Sequence, residues 1–193
     1  MKAIILDWGG TCTEGSIIHD LFKKLPGKHT KEECKKVFEK NNHAYLKGKM
    51  SDEEFWRFFA KSLRIDKPPE YFIQLLKQTG KARSEIPPLL RSLRKKYALA
   101  VLSDNYQSLA DWIEERYGTL FDVLVFSNRA GITKPSPSIF KMALNALGVK
   151  PSEAVFIDDR EKNVAAARKI GINACVYEGG KLKKTLSQCG IGV

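Results

Sequence analysis

A chain of 193 residues, 43% hydrophobic and 28% charged, can bury one good core, which excludes wholesale disorder. Its net charge of +11 is scattered in pairs such as Lys23-Lys24, Lys35-Lys36, Lys95-Lys96 and Lys183-Lys184. Such pairs form solvated helix faces, so nucleic acid ranks low as a partner, while the positive field suits a small anionic substrate. No apolar run approaches the roughly 18 residues that span a bilayer. The N-terminal run stops at Asp7, too early for a signal peptide, so no membrane association and a cytoplasmic location are expected.

Residues 2–7 are a short apolar run ending in Asp7 and followed by Gly9-Gly10-Thr11, which reads as a buried strand delivering a carboxylate into a glycine loop. Residues 16–80 carry no convincing strand. Apolar positions recur there at helical spacing: Val37, then Tyr45 and Leu46, then Phe55, Phe58, Phe59 and Leu63. Ser51 and Glu54 form a capping-box signature, and Pro68-Pro69 precedes a helix over about 70–78. From Pro87 onward, helices alternate with apolar runs at 98–102, 123–126, 154–157 and 174–176. That alternation predicts a parallel sheet covered on both faces: an α/β, Rossmann-like, three-layer core with a small α-helical cap inserted after its first strand. The expected division is 1–14 and 83–193 for the core and 15–82 for the cap.

Cys12, Cys34, Cys175 and Cys189 are far apart and form no C-x-x-C pair. Zinc and dithiol chemistry are therefore disfavoured, and free thiols are expected, with Cys175 buried in a strand. Lys and Glu outnumber Asn and Gln, a composition of thermophilic type.

Ligands of open parallel sheets bind outside the carboxyl ends of the strands. Three runs end in polar residues, Asp7, Ser103-Asp104 and Asp158-Asp159, which converge on one crevice with the helical stretch beside it as a lid. Three carboxylates on one rim repel one another unless a cation neutralises them, and an all-oxygen set favours Mg²⁺. Gly9 and Gly10 can present backbone N–H groups to an anion, and Ser103 offers a hydroxyl. Lys134 sits on a loop stiffened by Pro135 and Pro137, as a lysine gripping a phosphoryl oxygen needs to be. Aromatics of the helical stretch, Phe22, Tyr45, Trp56 and Phe59, belong to a core or face a substrate; helical spacing favours the core.

Together these stretches resemble the haloacid dehalogenase superfamily. The matching segments are Ile4 to Thr11, Val101-Leu102-Ser103, Gly131 to Phe140, and Val155 to Asn163 continued by Ala165 to Gly171. The stretch from Lys47 to Trp56 is similar to one in cap-bearing sugar-phosphate phosphatases and in the phosphatase domains of epoxide hydrolases. The resemblance implies a phosphatase acting on a small phosphorylated metabolite, with Asp7 as nucleophile through an aspartyl-phosphate. It implies magnesium held by Asp7, the carbonyl of Gly9 and Asp159, with Asp158 acting through water and Asn163 supporting the loop. Ser103 and Lys134 would hold the phosphoryl group beside Gly9, Gly10 and Asp104. One departure stands out: the family's phosphatases carry a proton-donating Asp two residues after the nucleophile, where this chain has Gly9. Three readings follow: a substrate with a good leaving group, a proton from elsewhere (Glu14, His19 or Asp104), or a weak or inactive ligand-binding protein. The Asp7 to Thr11 stretch also resembles phosphonoacetaldehyde hydrolases, whose Schiff-base lysine would correspond in region to Lys47 or Lys49. Asp104 is a smaller departure, an extra carboxylate where relatives more often have Asn.

Overall fold

The computed structural model describes residues 1–192. Five strands, β1 (Ala3–Leu6), β2 (Ala98–Ser103), β3 (Val123–Phe126), β4 (Ala154–Asp158) and β5 (Asn173–Val176), form one sheet in the order β3-β2-β1-β4-β5. Every pairing is parallel. The strands are apolar at successive positions because both faces are covered. Ile4, Leu6, Leu99, Val101 and Ile157 point to one side, against α5 (Ile86–Leu93), α6 (Gln107–Tyr117) and α10 (Leu182–Gln188). Ile5, Ala100, Leu102 and Phe156 point to the other, against α8 (Pro137–Leu147) and α9 (Glu161–Lys169). A single turn, α7 (Ser127–Ala130), follows β3. This is the three-layer α/β arrangement expected from the alternation of elements.

Between β1 and α5 lie α1 (Ile17–Phe22), α2 (Lys31–Leu46), α3 (Asp52–Leu63) and α4 (Pro69–Thr79), with no strand among them. They enclose their own cluster, including Phe38, Tyr45, Phe55, Trp56, Phe59 and Phe72. Ser51 and Glu54 make the expected capping box on α3, and Thr30 and Glu33 make a second on α2. The chain leaves and returns at one point, where Thr13 and Ala82 form an antiparallel bridge. Trp8 ties the return in place, its Nε1–H donating to the Gly80 carbonyl at 2.8 Å.

The expectation of four free thiols is corrected. Cys175 on β5 is only half-buried and is disulfide-bonded to Cys189, which ends α10. β5 is an edge strand, and α10 folds back on it, bringing the two Cα atoms to 6.3 Å. Cys12 and Cys34 are buried thiols. No helix among the described residues is long and apolar enough to cross a membrane.

Candidate active site at the strand ends

The sheet register builds the site. Leu6 lies opposite Val101 on β2 and Ile157 on β4, so the next residues, Asp7, Leu102 and Asp158, share a level at the carboxyl end. The chain reverses direction across the sheet between β1 and β4, and a crevice opens there. Asp7 is 6% exposed and Asp158 wholly buried, so their charges need partners.

Lys134, itself 5% exposed, supplies one. Its Nζ donates to Asp7 Oδ1 at 2.6 Å, Asp158 Oδ2 at 2.7 Å and the Leu102 carbonyl at 3.0 Å, which uses all three ammonium hydrogens. Burial alone would lower the lysine pKa, but Asp7 and Asp158 outweigh it and raise it above the ordinary value. Asp7 is pushed up to about 7: burial dominates, Lys134 opposes it, and Asp158 adds to it. Asp158 also accepts from the Arg160 N–H at 2.8 Å and from Asn163 Nδ2 at 3.0 and 2.9 Å, so both its oxygens are engaged within the protein.

Asp159, the exposed neighbour, completes the acidic set. Oxygens of Asp7, Asp158 and Asp159 lie within 4.8 Å of one another. Burial, and then Asp158, raise the Asp159 pKa. Three hard oxygen donors against one shared ammonium fit a divalent cation such as Mg²⁺. The glycine loop makes that approach feasible, since a β-carbon at Gly10 (φ +82°) would overlap the Asp159 carboxylate.

A cavity of about 320 Å³ opens above this floor, between the strand ends and helices α1 and α2. Gly9, Ser103, Asp104 and Lys134 line it as expected. Two expected binding residues are used otherwise. The Gly10 N–H donates to Thr13 Oγ1 at 2.9 Å, so Gly10 contributes close approach and no free donor. Asp104 accepts the Lys134 backbone N–H at 2.9 Å, turning toward the lysine loop and fixing it; burial raises its pKa.

Of the aromatics weighed, Tyr45, Trp56 and Phe59 are core, whereas Phe22 reaches the cavity. Phe38, Ile17, Ile18 and Asn42 also line it and were not singled out from sequence. Phe38 and Asn42 lie one helical turn apart on α2 and so share a face, the available signal. Lys47 and Lys49, the Schiff-base candidates, are not among the lining residues.

Comparisons with known proteins identify the family and the fold. A family model described as haloacid dehalogenase-like hydrolase matches residues 1–171. The bifunctional epoxide hydrolase 2 of Mus musculus is 32% identical over 132 residues, covering 62% of this chain and 24% of that protein. The glyceraldehyde 3-phosphate phosphatase of Pyrococcus furiosus is 30% identical over 97 residues, covering 48% of this chain and 40% of its own length. The chain thus spans well under half of these curated relatives. A HAD family enzyme of Bacteroides thetaiotaomicron, solved in complex with magnesium and inorganic phosphate, shares the fold at a TM-score of 0.72 and 20% identity, over 94% of this chain and 96% of that one. On the match that runs from before β1 to just past α9, this chain belongs to the haloacid dehalogenase-like hydrolases.

Proposed function

We propose that the protein is a magnesium-dependent phosphomonoesterase for a small phosphorylated metabolite, with helices α1–α4, about residues 15–82, as a cap over the site. One observation carries the reading: Lys134 bridges Asp7 and Asp158 on the floor of a cavity, with Asp159 within reach. Similarity to the Pyrococcus phosphatase and the fold of the phosphate-bound Bacteroides enzyme support it.

In this reading Asp7 Oδ attacks phosphorus and the departing oxygen leaves in line. Water then hydrolyses the aspartyl-phosphate. Ser103 and Lys134 hold the phosphoryl oxygens, the lysine by exchanging one of its three internal hydrogen bonds for the incoming oxygen, and the ammonium offsets the charge gathering there. Asp7, Asp159 and the Gly9 carbonyl would hold the metal, with Asp158 acting through water; when bound, the ion adds positive charge at the phosphoryl oxygens. Asn163 and Arg160 keep Asp158 from swinging away. A cytoplasmic location is part of the reading, and the Cys175–Cys189 bond fits it in a chain of thermophilic composition, since intracellular hyperthermophile proteins carry disulfides.

The test is phosphate release from a panel of phosphorylated compounds with and without Mg²⁺, using Asp7→Asn as control. Turnover that needs the metal and vanishes in the variant supports the proposal. Metal binding with no turnover on any compound points instead to a noncatalytic ligand-binding protein, the reading that the bare Gly9 position favours.

A further inference from the structure

In-line displacement sends the departing group away from Asp7, into the part of the cavity walled by Gly9, α1 and α2. A poor leaving group needs a proton there, and the described residues that line the cavity offer no buried, unengaged acid to give one. Gly9 has none, and the space beside it is taken: a β-carbon would sit 3.2 Å from Ile17 Cδ1. Asp104 is turned to the Lys134 backbone, and the Tyr106 hydroxyl donates to Asn42 Oδ1 at 3.0 Å. Glu39 stands 3.7 Å from Lys35, with both side chains more than half exposed. Burial and then Lys31 and Lys35 hold the His19 pKa below its ordinary value, which disfavours the protonated, proton-donating ring. The remaining wall is mixed: Ile17, Ile18, Phe22 and Phe38 form an apolar stretch on the helical side, and Arg160 and Asn163 add polar groups at the sheet side.

Resting on the phosphatase reading, we infer that the substrates are phosphates whose departing oxygen is stable as an anion, acyl, enol or aryl phosphates with a compact apolar body. In the first step the Asp7 oxygen–phosphorus bond forms and the bond to the departing oxygen breaks. The electron pair stays on that oxygen and no proton moves. In the second step water bonds to phosphorus, the Asp7 carboxylate leaves with its electron pair, and both water hydrogens stay on the dihydrogen phosphate released. The intermediate is itself an acyl phosphate, so neither half-reaction needs an acid.

The experiment measures kcat/KM along a series of similar size: benzoyl phosphate, 4-nitrophenyl phosphate, phenyl phosphate and benzyl phosphate. The expected result is a steep dependence on leaving-group acidity, with benzoyl phosphate at least about 10²-fold ahead of benzyl phosphate, the low end of what a positioned acid supplies. Gly9→Asp combined with Ile17→Val, which makes room, should raise the benzyl member selectively and flatten the series. Values within tenfold of one another, with turnover still abolished by Asp7→Asn, overturn the leaving-group inference and leave the phosphatase reading standing. No magnesium-dependent turnover of any member overturns both. If the double variant does not fold, the slope of the natural protein decides alone.

Discussion

The rim of the sheet and the four-helix unit above it are held by opposite physics. At the rim, Asp7, Lys134, Asp158 and Asn163 come from three separated stretches of chain and are fixed by short charged hydrogen bonds. In the helical unit, aromatic rings carry the structure: Trp56 stacks on Phe72 at 5.1 Å, and Phe38 meets Phe55 edge-on at 5.0 Å. Each ring pair adds about 0.5–1.5 kcal/mol beyond its buried area, and neighbours can repack around a loss. A charge network cannot repack. In the proposed reading the chemistry sits on the charged rim, and the surface that would choose a substrate sits on the aromatic unit.

The largest effect should come from breaking the network at its centre. Lys134→Met keeps the volume but leaves Asp7 and Asp158 buried without their counter-charge, at a cost of about 3–5 kcal/mol. Denaturant unfolding at pH 7 measures it, and the deficit should shrink toward pH 4 as Asp7 protonates. Phosphate release should fall by at least about 10²-fold, the loss of one charge-stabilising donor. A variant as stable as its parent at pH 7 would show that the lysine is not the partner the geometry makes it.

The two regions should also answer pH with opposite signs. Asp7 titrates near 7 when folded, against about 3.9 in an unfolded chain. Between those values the native state keeps a proton that the unfolded chain has released, so metal-free stability falls as pH rises from about 4 to 7. Mg²⁺ competes with that proton, so its stabilising effect in thermal melts should grow from pH 5 to pH 8 and be lost in Asp7→Asn. In the helical unit, the capping carboxylates Glu33 and Glu54 are held below their ordinary values by the backbone N–H groups of Thr30 and Ser51. Their contribution is present above the ordinary glutamate pKa and is lost as pH falls below about 4.

How much of this was legible in the sequence follows the same division. Strands buried on both faces are continuous apolar runs, so all five could be read, and the polar residues closing three of them marked the rim. The helical unit was legible as helices but not as a surface: Phe22 and Phe38 face the cavity while Trp56 and Phe59, on the same spacing, do not. Helical periodicity reports that a face is buried and not what it is buried against. The Thr30–Glu33 box carried the same signature as Ser51–Glu54 and was open to the same reading. Gly10's partner was not, because Thr13 reaches its N–H only once the loop has turned. The Cys175–Cys189 bond was hidden for a related reason, since only the return of a short helix to an edge strand brings the two together.

That bond offers the next test. It closes a segment with a sequence separation of 14, and a loop of that size stabilises by about 3 kcal/mol in the chain-entropy account. Replacing both cysteines by serine should lower Tm by about 6–12 °C for a chain of this size, and reducing the natural protein should give the same shift. Both losses should leave the magnesium response intact, because α10 packs beneath the sheet face and contributes nothing to the cavity wall. An unchanged Tm in the variant would show that the thiols are unpaired in solution.

The smallest effect tests whether the two regions are mechanically joined. Asp52 opens α3 in the helical unit, yet its Oδ2 accepts the N–H of Ser108 at 2.9 Å, in the first turn of α6 on the core. Tyr45 donates its hydroxyl to the other oxygen. Tyr106, at the N-cap position of α6, makes no side-chain cap bond of its own, so a carboxylate from another part of the fold performs the capping. Asp52→Ala should cost about 0.5–2 kcal/mol, with Asp52→Asn costing less because an amide oxygen still accepts. Amide hydrogen exchange at Ser108 is the sharper measurement: it should accelerate in the alanine variant and stay near the parent rate in the asparagine one. If α1–α4 and the sheet unfold as one unit, the same substitution will speed exchange on both sides of the contact by the same factor. Acceleration limited to α3 and α6 would instead mean that the helical unit opens over the site without the core loosening, and then cap motion, rather than chemistry at Asp7, becomes the step that Asp52 governs.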